Sequence, residues 1–225
     1  MPSALLPSIE LETGAHPDAC VIWLHGLGAD GNDFVPIVEE MSLPASLSVR
    51  FVFPHAPVRP VTLNNGMAMR AWYDIYAADI ARRAALNGVR ESQAQIEALI
   101  ARETARGIAS RRIVIAGFSQ GGVIALHTGL RHAWRLAGIV ALSTYLVLPD
   151  KLAEEGSAAN RDLPIFMAHG TMDPVVRPEW GESGRRALEA AGYPLEWHTY
   201  GMPHSVVWEE IEAIAAFLRR VLAPA

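Results

Sequence analysis

Short apolar runs, largely of β-branched residues, recur along the chain, and each is bounded by Gly, Pro, Asn or Asp. They span residues 21–24, 49–53, 113–116, 138–142 and 165–168. Runs that are apolar almost throughout, with Arg50 as an exception, are typical of parallel strands covered by helices on both faces. A further run over 195–200 is more polar and suits an edge strand. The pattern predicts an α/β fold with a mostly parallel sheet.

Between these runs, two stretches have the apolar spacing of helices. Ile96, Leu99 and Ile100 lie at i, i+3 and i+4, and Gly107 follows as a candidate C-cap. The last helix shows the same spacing at Ile211, Ile214, Ala215, Leu218 and Leu222. Its acidic residues cluster near the start and its arginines near the end, as the helix dipole favours. Both helices should pack one face on the sheet.

The chain has 225 residues, 51% of them hydrophobic, and shows no repeat or linker, which predicts one domain over residues 1–225. The exception to regularity is residues 54–87, a stretch too long for a plain connection. Its apolar, aromatic and methionine residues are Met67, Met69, Trp72, Tyr73, Ile75 and Tyr76. They suit a wall that binds an acyl group, and equally a loop packed on the core.

Charge and hydropathy exclude several classes of function. The net charge is −5 and the arginines are scattered, so no basic footprint for nucleic acid exists. No apolar run reaches a membrane-spanning length, and the first residues lack the basic start of a signal peptide. We therefore expect a cytoplasmic protein without stable membrane insertion. The lone Cys20 precedes an apolar run and is interpreted as a small buried residue.

The segment Gly117-Phe118-Ser119-Gln120-Gly121 follows one apolar run and opens a helix-like stretch over 121–130. This is the strand-turn-helix setting of a nucleophile elbow, in which a serine on a strained turn projects above the sheet. Side chains two residues before and after the serine would collide in such a turn, and Gly117 and Gly121 avoid this. We interpret Ser119 as the nucleophile.

A serine nucleophile needs a histidine base and an acid that orients it, each following a later strand. His204 lies between the last predicted strand and the last helix and is favoured over His169, which ends an earlier strand. Asp173 follows the 165–168 strand and is favoured as the acid. Asp150 and Asp162 remain alternatives.

An oxyanion hole requires two preorganised donors, one from the residue after the nucleophile and one from a loop after an early strand. The backbone N–H groups of Gln120 and Leu27 meet these conditions, with His25 shaping the Leu27 loop. No set of metal ligands and no phosphate-binding loop emerges. No metal or cofactor is predicted.

These residues resemble the carboxylesterase family that includes acyl-protein thioesterases and lysophospholipase-like esterases. The resemblance extends over nearly the whole chain through blocks at 25–28, 61–64, 69 with 72–75, 117–122, 169–173 with 175–176, and 202 with 204–206. It implies an α/β-hydrolase without a separate cap domain that cleaves acyl esters or thioesters. It also implies Ser119, Asp173 and His204 as the triad, Leu27 and Gln120 as the oxyanion hole, and Ile75, Tyr76 and Val175 near the acyl channel. Trp72 is a further candidate for the substrate wall.

The chain departs from this family at Gly201 and at Val207-Trp208, where Pro and Cys-Pro are expected. The departure leaves the base intact but changes the loop beside it. Two other functions stay open: a non-catalytic binding protein on the same fold, and a serine peptidase. The substrate could be a small acyl ester or thioester, a lysophospholipid or an acylated protein, and the resemblance suggests a homodimer as one option.

Overall fold

The computed structural model describes residues 5–75 and 85–223. Its strands are β1 (Ser8–Glu12), β2 (Ala19–Leu24), β3 (Val49–Pro54), β4 (Val58–Val61), β5 (Met67–Arg70), β6 (Ile113–Phe118), β7 (Gly138–Leu142), β8 (Ile165–Gly170) and β9 (Leu195–Tyr200). Its α-helices are α1 (Ile37–Glu40), α2 (Ala85–Ala105), α3 (Gln120–Arg131), α4 (Leu152–Glu155), α5 (Pro178–Ala190) and α6 (Trp208–Val221). Every strand and both helices predicted from the pattern are present.

Seven strands form one sheet in the order β1-β3-β2-β6-β7-β8-β9. All neighbours pair in parallel except β1, which runs antiparallel to β3 with Ser8 opposite Pro54 and Glu12 opposite Arg50. The predicted parallel sheet is confirmed, with the more polar β9 at an edge. The other edge strand, β1, alternates polar and apolar residues and was not predicted from the sequence.

Helices cover both faces of the sheet, and the central strands supply side chains to each. In β2, Cys20, Ile22 and Leu24 join the core beneath α2, α3 and α5. The alternate residues Ala19, Val21 and Trp23 join the core beneath α1 and α6. Successive side chains of a strand point to opposite faces, so a strand between two helical layers is apolar throughout. Cys20 is fully buried, as predicted.

The described part of segment 54–87 contains more regular structure than the sequence indicates. Strands β4 and β5 pair antiparallel and are joined through a 3₁₀ turn at Thr62–Asn64. The carboxylate of Asp74 closes this hairpin by accepting hydrogen bonds from the backbone N–H and the hydroxyl of Thr62, at 2.7 and 2.8 Å. Tyr76 lies outside the described residues.

Over residues 5–75 and 85–223, no helix combines the length and the apolar character that crossing a membrane requires.

Candidate active site

The predicted catalytic residues follow strands of the parallel sheet at the same edge. Ser119 comes directly after β6, Asp173 lies three residues beyond β8, and His204 lies four residues beyond β9. Leu27 follows β2, which pairs with β6. The carboxyl ends of parallel strands form the edge at which α/β proteins place their ligands, so the topology gathers these residues.

Ser119 occupies a strained turn between β6 and α3. Its backbone has φ 53° and ψ −119°, a region that L-residues rarely adopt, and it is the N-cap of α3. A Cβ at Gly117 would collide with the backbone of Gly121 and Gly122, and a Cβ at Gly121 would collide with the carbonyl groups of Leu24 and His25. The glycine spacing of the motif is therefore a requirement of packing around the elbow.

His204 and Asp173 are joined by a hydrogen bond of 2.6 Å between Nδ1 of His204 and Oδ2 of Asp173. A carboxylate only accepts, so Nδ1 carries the proton and Nε2 is left as an acceptor. The other oxygen of Asp173 accepts the N–H groups of Val175 and Val176 at 2.8 and 2.9 Å. The Asp173 side chain is completely buried, and that of His204 is 16% exposed.

The loops that carry these two residues are in direct contact. The N–H of Met172 donates to the carbonyl of Met202, and a Cβ at Gly170 would collide with the carbonyl oxygens of Met202 and Pro203. Backbone contact of this kind fixes the distance between the acid and the base.

The departures from the family pattern lie beside this contact and do not interrupt it. Gly201 has open space where a Cβ would stand, and Val207 is the extended N-cap of α6. Trp208 begins that helix and is 52% exposed. The hydrogen bond from His204 to Asp173 is made with these residues in place.

The ring of His204 packs against the residue that precedes the nucleophile. The ring centroids of Phe118 and His204 are 4.6 Å apart, so the imidazole lies beside the elbow. Ser119 itself is 8% exposed. The arrangement combines a hydroxyl, an imidazole with a free acceptor and a buried carboxylate, which together can activate a nucleophile.

The alternatives to these residues occupy different environments. His169 is 1% exposed, its Nε2 donates to the carbonyl of Val176 at 2.8 Å, and it lies 3.6 Å from Oδ2 of Asp173. His169 therefore supports the turn that carries Asp173 through its contact with Val176, and it is buried from solvent. Asp150 lies in an exposed 3₁₀ turn, and the exposed Asp162 pairs with Arg135. Neither carboxylate bonds His204.

The loop carrying Leu27 runs beside the nucleophile. A Cβ at Gly26 would lie 3.6 Å from Cβ of Ser119, and the N–H of Gly28 donates to the carbonyl of Arg70 at 2.9 Å. Within the described ranges, no hydrogen bond uses the N–H of Leu27. The N–H of Gln120, in the first turn of α3, has no intrahelical acceptor. Among the residues that the structure describes, both N–H groups are thus without a backbone acceptor.

His25 holds that loop in position, as predicted. Its Nε2 accepts the N–H of Ala56 at 3.1 Å, so its Nδ1 carries the proton and donates to the carbonyl of Gly26 at 2.7 Å. Burial lowers the pKa of His25, an effect larger than the opposing hydrogen bond to Gly26. The neutral ring suits a structural role.

Trp72 is fully buried behind the site, which differs from the expected place on the substrate wall. Its Nε1 donates to the carbonyl of His25 at 2.8 Å, and its ring lies 5.3 Å from the His25 ring. The indole therefore supports the Leu27 loop. Sequence composition indicated an aromatic wall in this segment but could not distinguish a lining residue from a supporting one.

The side chain of Gln120 has a role that sequence reasoning missed. Its Oε1 accepts the N–H of Trp72 at 2.8 Å, and its Nε2 donates to the carbonyl of Tyr73 at 2.7 Å. Gln120 thereby holds the backbone of the loop at Trp72 and Tyr73, which is distant in sequence; we refer to these two hydrogen bonds as the Gln120 clamp. Its place in the elbow motif gave no indication of this second contact.

Two of the remaining substrate candidates are accessible. Val175 is 60% exposed and lies in the turn that holds Asp173. Ile75 is half-buried, packs against the core, and its carbonyl accepts the N–H of Leu63 at 2.7 Å. Tyr76, beyond the described residues, is not placed.

A cavity of about 270 Å³ opens beside His204 and was not predicted. It is lined by Asp33, Phe34, Phe118, His204, Ser205 and Val206. In the part of the chain that the structure describes, no three His, Cys, Asp or Glu side chains form a group that could hold a metal ion.

Comparisons with known proteins identify the family and the fold of this chain. A family model described as phospholipase/carboxylesterase matches residues 8–222. Acyl-protein thioesterase 1 of Neurospora crassa is 43% identical in sequence, and the match covers 96% of this chain and 90% of the relative. Acyl-protein thioesterase 1 of Yarrowia lipolytica is 40% identical, and the match covers 94% of this chain and 96% of the relative. The crystal structure of acyl-protein thioesterase 2 from Zea mays superimposes with a TM-score of 0.84 at 27% identity, covering 96% of this chain and 99% of that one. The crystal structure of Arabidopsis thaliana SOBER1 superimposes with a TM-score of 0.83 at 30% identity, and the match covers 91% of this chain and 99% of that one.

Proposed function

The chain belongs to the phospholipase/carboxylesterase family, and from this premise we propose that Ser119, His204 and Asp173 form the catalytic triad of an acyl hydrolase. It is a serine hydrolase that acts on acyl esters or thioesters. The observation that carries the assignment of the triad is the 2.6 Å hydrogen bond between the imidazole of His204 and the buried carboxylate of Asp173.

In the proposed acylation, Oγ of Ser119 attacks the acyl carbonyl while Nε2 of His204 takes its proton. The carboxylate of Asp173 holds the imidazole in the required tautomer and stabilises the imidazolium. The imidazolium then gives the proton to the departing oxygen or sulfur. The product is an acyl-enzyme on Ser119.

The tetrahedral intermediate carries an oxyanion, for which the N–H groups of Leu27 and Gln120 are the proposed donors. The assignment is supported by the strained turn of Ser119, which precedes Gln120, and by the close approach of the glycine loop after β2 to Ser119. In deacylation, His204 activates a water that attacks the acyl-enzyme by the same steps.

For the acyl group, the proposed contacts are the accessible Ile75 and Val175, with Tyr76 kept as a candidate. Trp72 is assigned instead to support of the Leu27 loop, because its side chain is buried. The relatives named acyl-protein thioesterase favour an acylated protein as substrate, and a lysophospholipid or a small thioester are further candidates.

The assignment is tested with Ser119→Ala and a p-nitrophenyl butanoate assay. We expect turnover to fall on the order of 10⁶-fold, as when other serine hydrolases lose the nucleophile. A fluorophosphonate probe should label the wild type at Ser119 and leave the variant unlabelled. Retained turnover in the variant would overturn the assignment, and an unlabelled, inactive wild type would favour a binding protein.

Rates over acyl chains from acetyl to palmitoyl, on oxygen and sulfur esters alike, would define the substrate. A peptidase would instead cleave amide substrates at comparable rates. Cytoplasmic localisation and a homodimer remain part of the proposal; fractionation of cells and sedimentation equilibrium of the purified protein test them.

A further inference from the structure

The cavity beside His204 lies on one side of the proposed site. It is formed by the loop that follows β2, through Asp33 and Phe34, and by the loop that carries the base, through Ser205 and Val206. The proposed acyl contacts belong to other elements, namely the 58–75 segment and the turn after β8. The cavity therefore offers room for a part of the substrate other than the acyl chain.

The proton path of the proposed reaction identifies that part. His204 takes the proton of Ser119 and returns it to the departing oxygen or sulfur, so the leaving atom must come next to the imidazole. His204 is itself part of the cavity lining. The cavity is therefore adjacent to the residue that the leaving atom must approach.

The lining of the cavity is acidic. Asp33 carries the negative charge, and neither Lys nor Arg is among its lining residues. Partial burial raises the pKa of Asp33, and the neighbouring Asp30 adds to the rise. A cation placed beside this carboxylate would stabilise its charged form.

Aromatic rings complete the same cavity. The rings of Phe34 and Phe118 lie 5.7 Å apart and both line it. A carboxylate beside aromatic rings is a favourable environment for ammonium and quaternary ammonium groups, since the electron-rich ring also attracts a cation.

Accepting the proposed function, we propose that Asp33 is a specificity-determining residue that selects substrates whose leaving group is positively charged near the scissile bond. The chemical class is an ester or thioester of a cationic alcohol or thiol, including the thiol of a basic peptide. Asp33 takes no part in proton transfer.

The test uses two thioesters with the same acyl group. S-Butanoylthiocholine carries a trimethylammonium group on its leaving thiol, and S-(3,3-dimethylbutyl) thiobutanoate replaces that nitrogen with carbon. The quantity measured is the ratio of their kcat/KM values in each variant relative to the wild type, because intrinsic differences between the thiols cancel in this comparison.

We expect Asp33→Asn to lower this ratio about three- to tenfold at low ionic strength. Asp33→Lys should lower it further, because it replaces the negative charge with a positive one. Glu39→Gln is the matched control, because it removes the same charge from an exposed position of α1 outside the cavity. Added salt should reduce the wild-type ratio more than that of Asp33→Asn.

An unchanged ratio in Asp33→Asn, or an equal loss on both thioesters, would overturn the proposal. So would a wild type that hydrolyses p-nitrophenyl butanoate but not the thiocholine ester. Failure of the proposed function looks different: Ser119→Ala would then retain turnover of both thioesters.

Discussion

Asp173 contacts His204 with one carboxylate oxygen at 2.6 Å, while its other oxygen accepts the N–H groups of Val175 and Val176. The two residues are 31 positions apart, and each follows a different strand. The turn after β8 therefore fixes the carboxylate, and the carboxylate in turn fixes the imidazole. A change of the Asp173 carboxylate should therefore act on the imidazole of His204.

Replacement of Asp173 by Asn should lower kcat about 10⁴-fold, because an amide can no longer hold Nδ1 protonated. The amide oxygen can still accept the N–H groups of the turn, so the fold should persist. Steady-state kinetics and a thermal unfolding curve measure the two effects. Asp162→Asn, an identical change at an exposed site, is the control; a loss of less than tenfold in Asp173→Asn would contradict the assignment.

Gly117→Ala should destabilise the protein by about 2–4 kcal/mol and reduce activity, because the new methyl group would collide with the backbone of α3. Gly201→Ala places the same methyl group in open space beside the His204 loop. Its free energy of unfolding should stay within about 0.5 kcal/mol of the wild type. Equal stability of the two variants in urea would show that packing does not dictate the elbow glycines.

Loss of the Gln120 clamp is a third test. Gln120→Ala leaves the buried N–H of Trp72 and the carbonyl of Tyr73 without their partner, which should cost about 2–4 kcal/mol. Gln93→Ala, at a half-buried position of α2, should cost far less. Urea unfolding measures both. We also expect a fall in kcat, because the Tyr73 segment leads into the proposed acyl contact at Ile75.

Glu210 predicts an unusual dependence of stability on pH. Burial raises its pKa from 4.5 to about 8, against a smaller opposing effect of the Val207 backbone. Between pH 4.5 and 8 the folded protein thus holds a proton that the unfolded chain has released. The stability contributed at low pH is lost as pH rises through this window, at about 1.4 kcal/mol per pH unit.

Glu210→Gln should remove this loss, so its advantage over the wild type should grow from pH 5 to pH 8, reaching roughly 3–4 kcal/mol. Urea unfolding at several pH values gives the comparison. Glu209→Gln, an exposed neighbour in the same helical turn, should show no such growth. A constant difference across the range would mean that Glu210 is ionised in the folded state.

Much of the framework follows from local patterns. The apolar runs predicted β2, β3, β6, β7 and β8, because strands buried on both faces are apolar at nearly every position, with Arg50 of β3 as an exception. The spacing of Gly117, Ser119 and Gly121 predicted the elbow, because a side chain at either glycine would collide with the backbone of a neighbouring element. Asp173 and His204 could be ranked by their place after later strands, since parallel strands deliver their ends to one edge.

Other features depend on contacts that no local pattern records. Strand β1 is short and half polar, and its pairing with β3 comes from a distant part of the chain. Trp72 was expected to line the substrate wall, but its side chain is buried and supports the Leu27 loop. Composition alone cannot state which side of a loop faces the core. The clamp by Gln120 likewise joins segments that are 47 and 48 residues apart.

The sequence by itself thus determined the class of fold, the nucleophile and the order of its partners, since each rests on spacing along the chain. Only the tertiary structure decided which His and Asp touch, which aromatic residue supports the oxyanion loop, and that Asp33 shares a cavity with His204. These relationships depend on how separate loops pack at one edge of the sheet. The loops are far apart in sequence, so no local pattern of residues determines the distances between them.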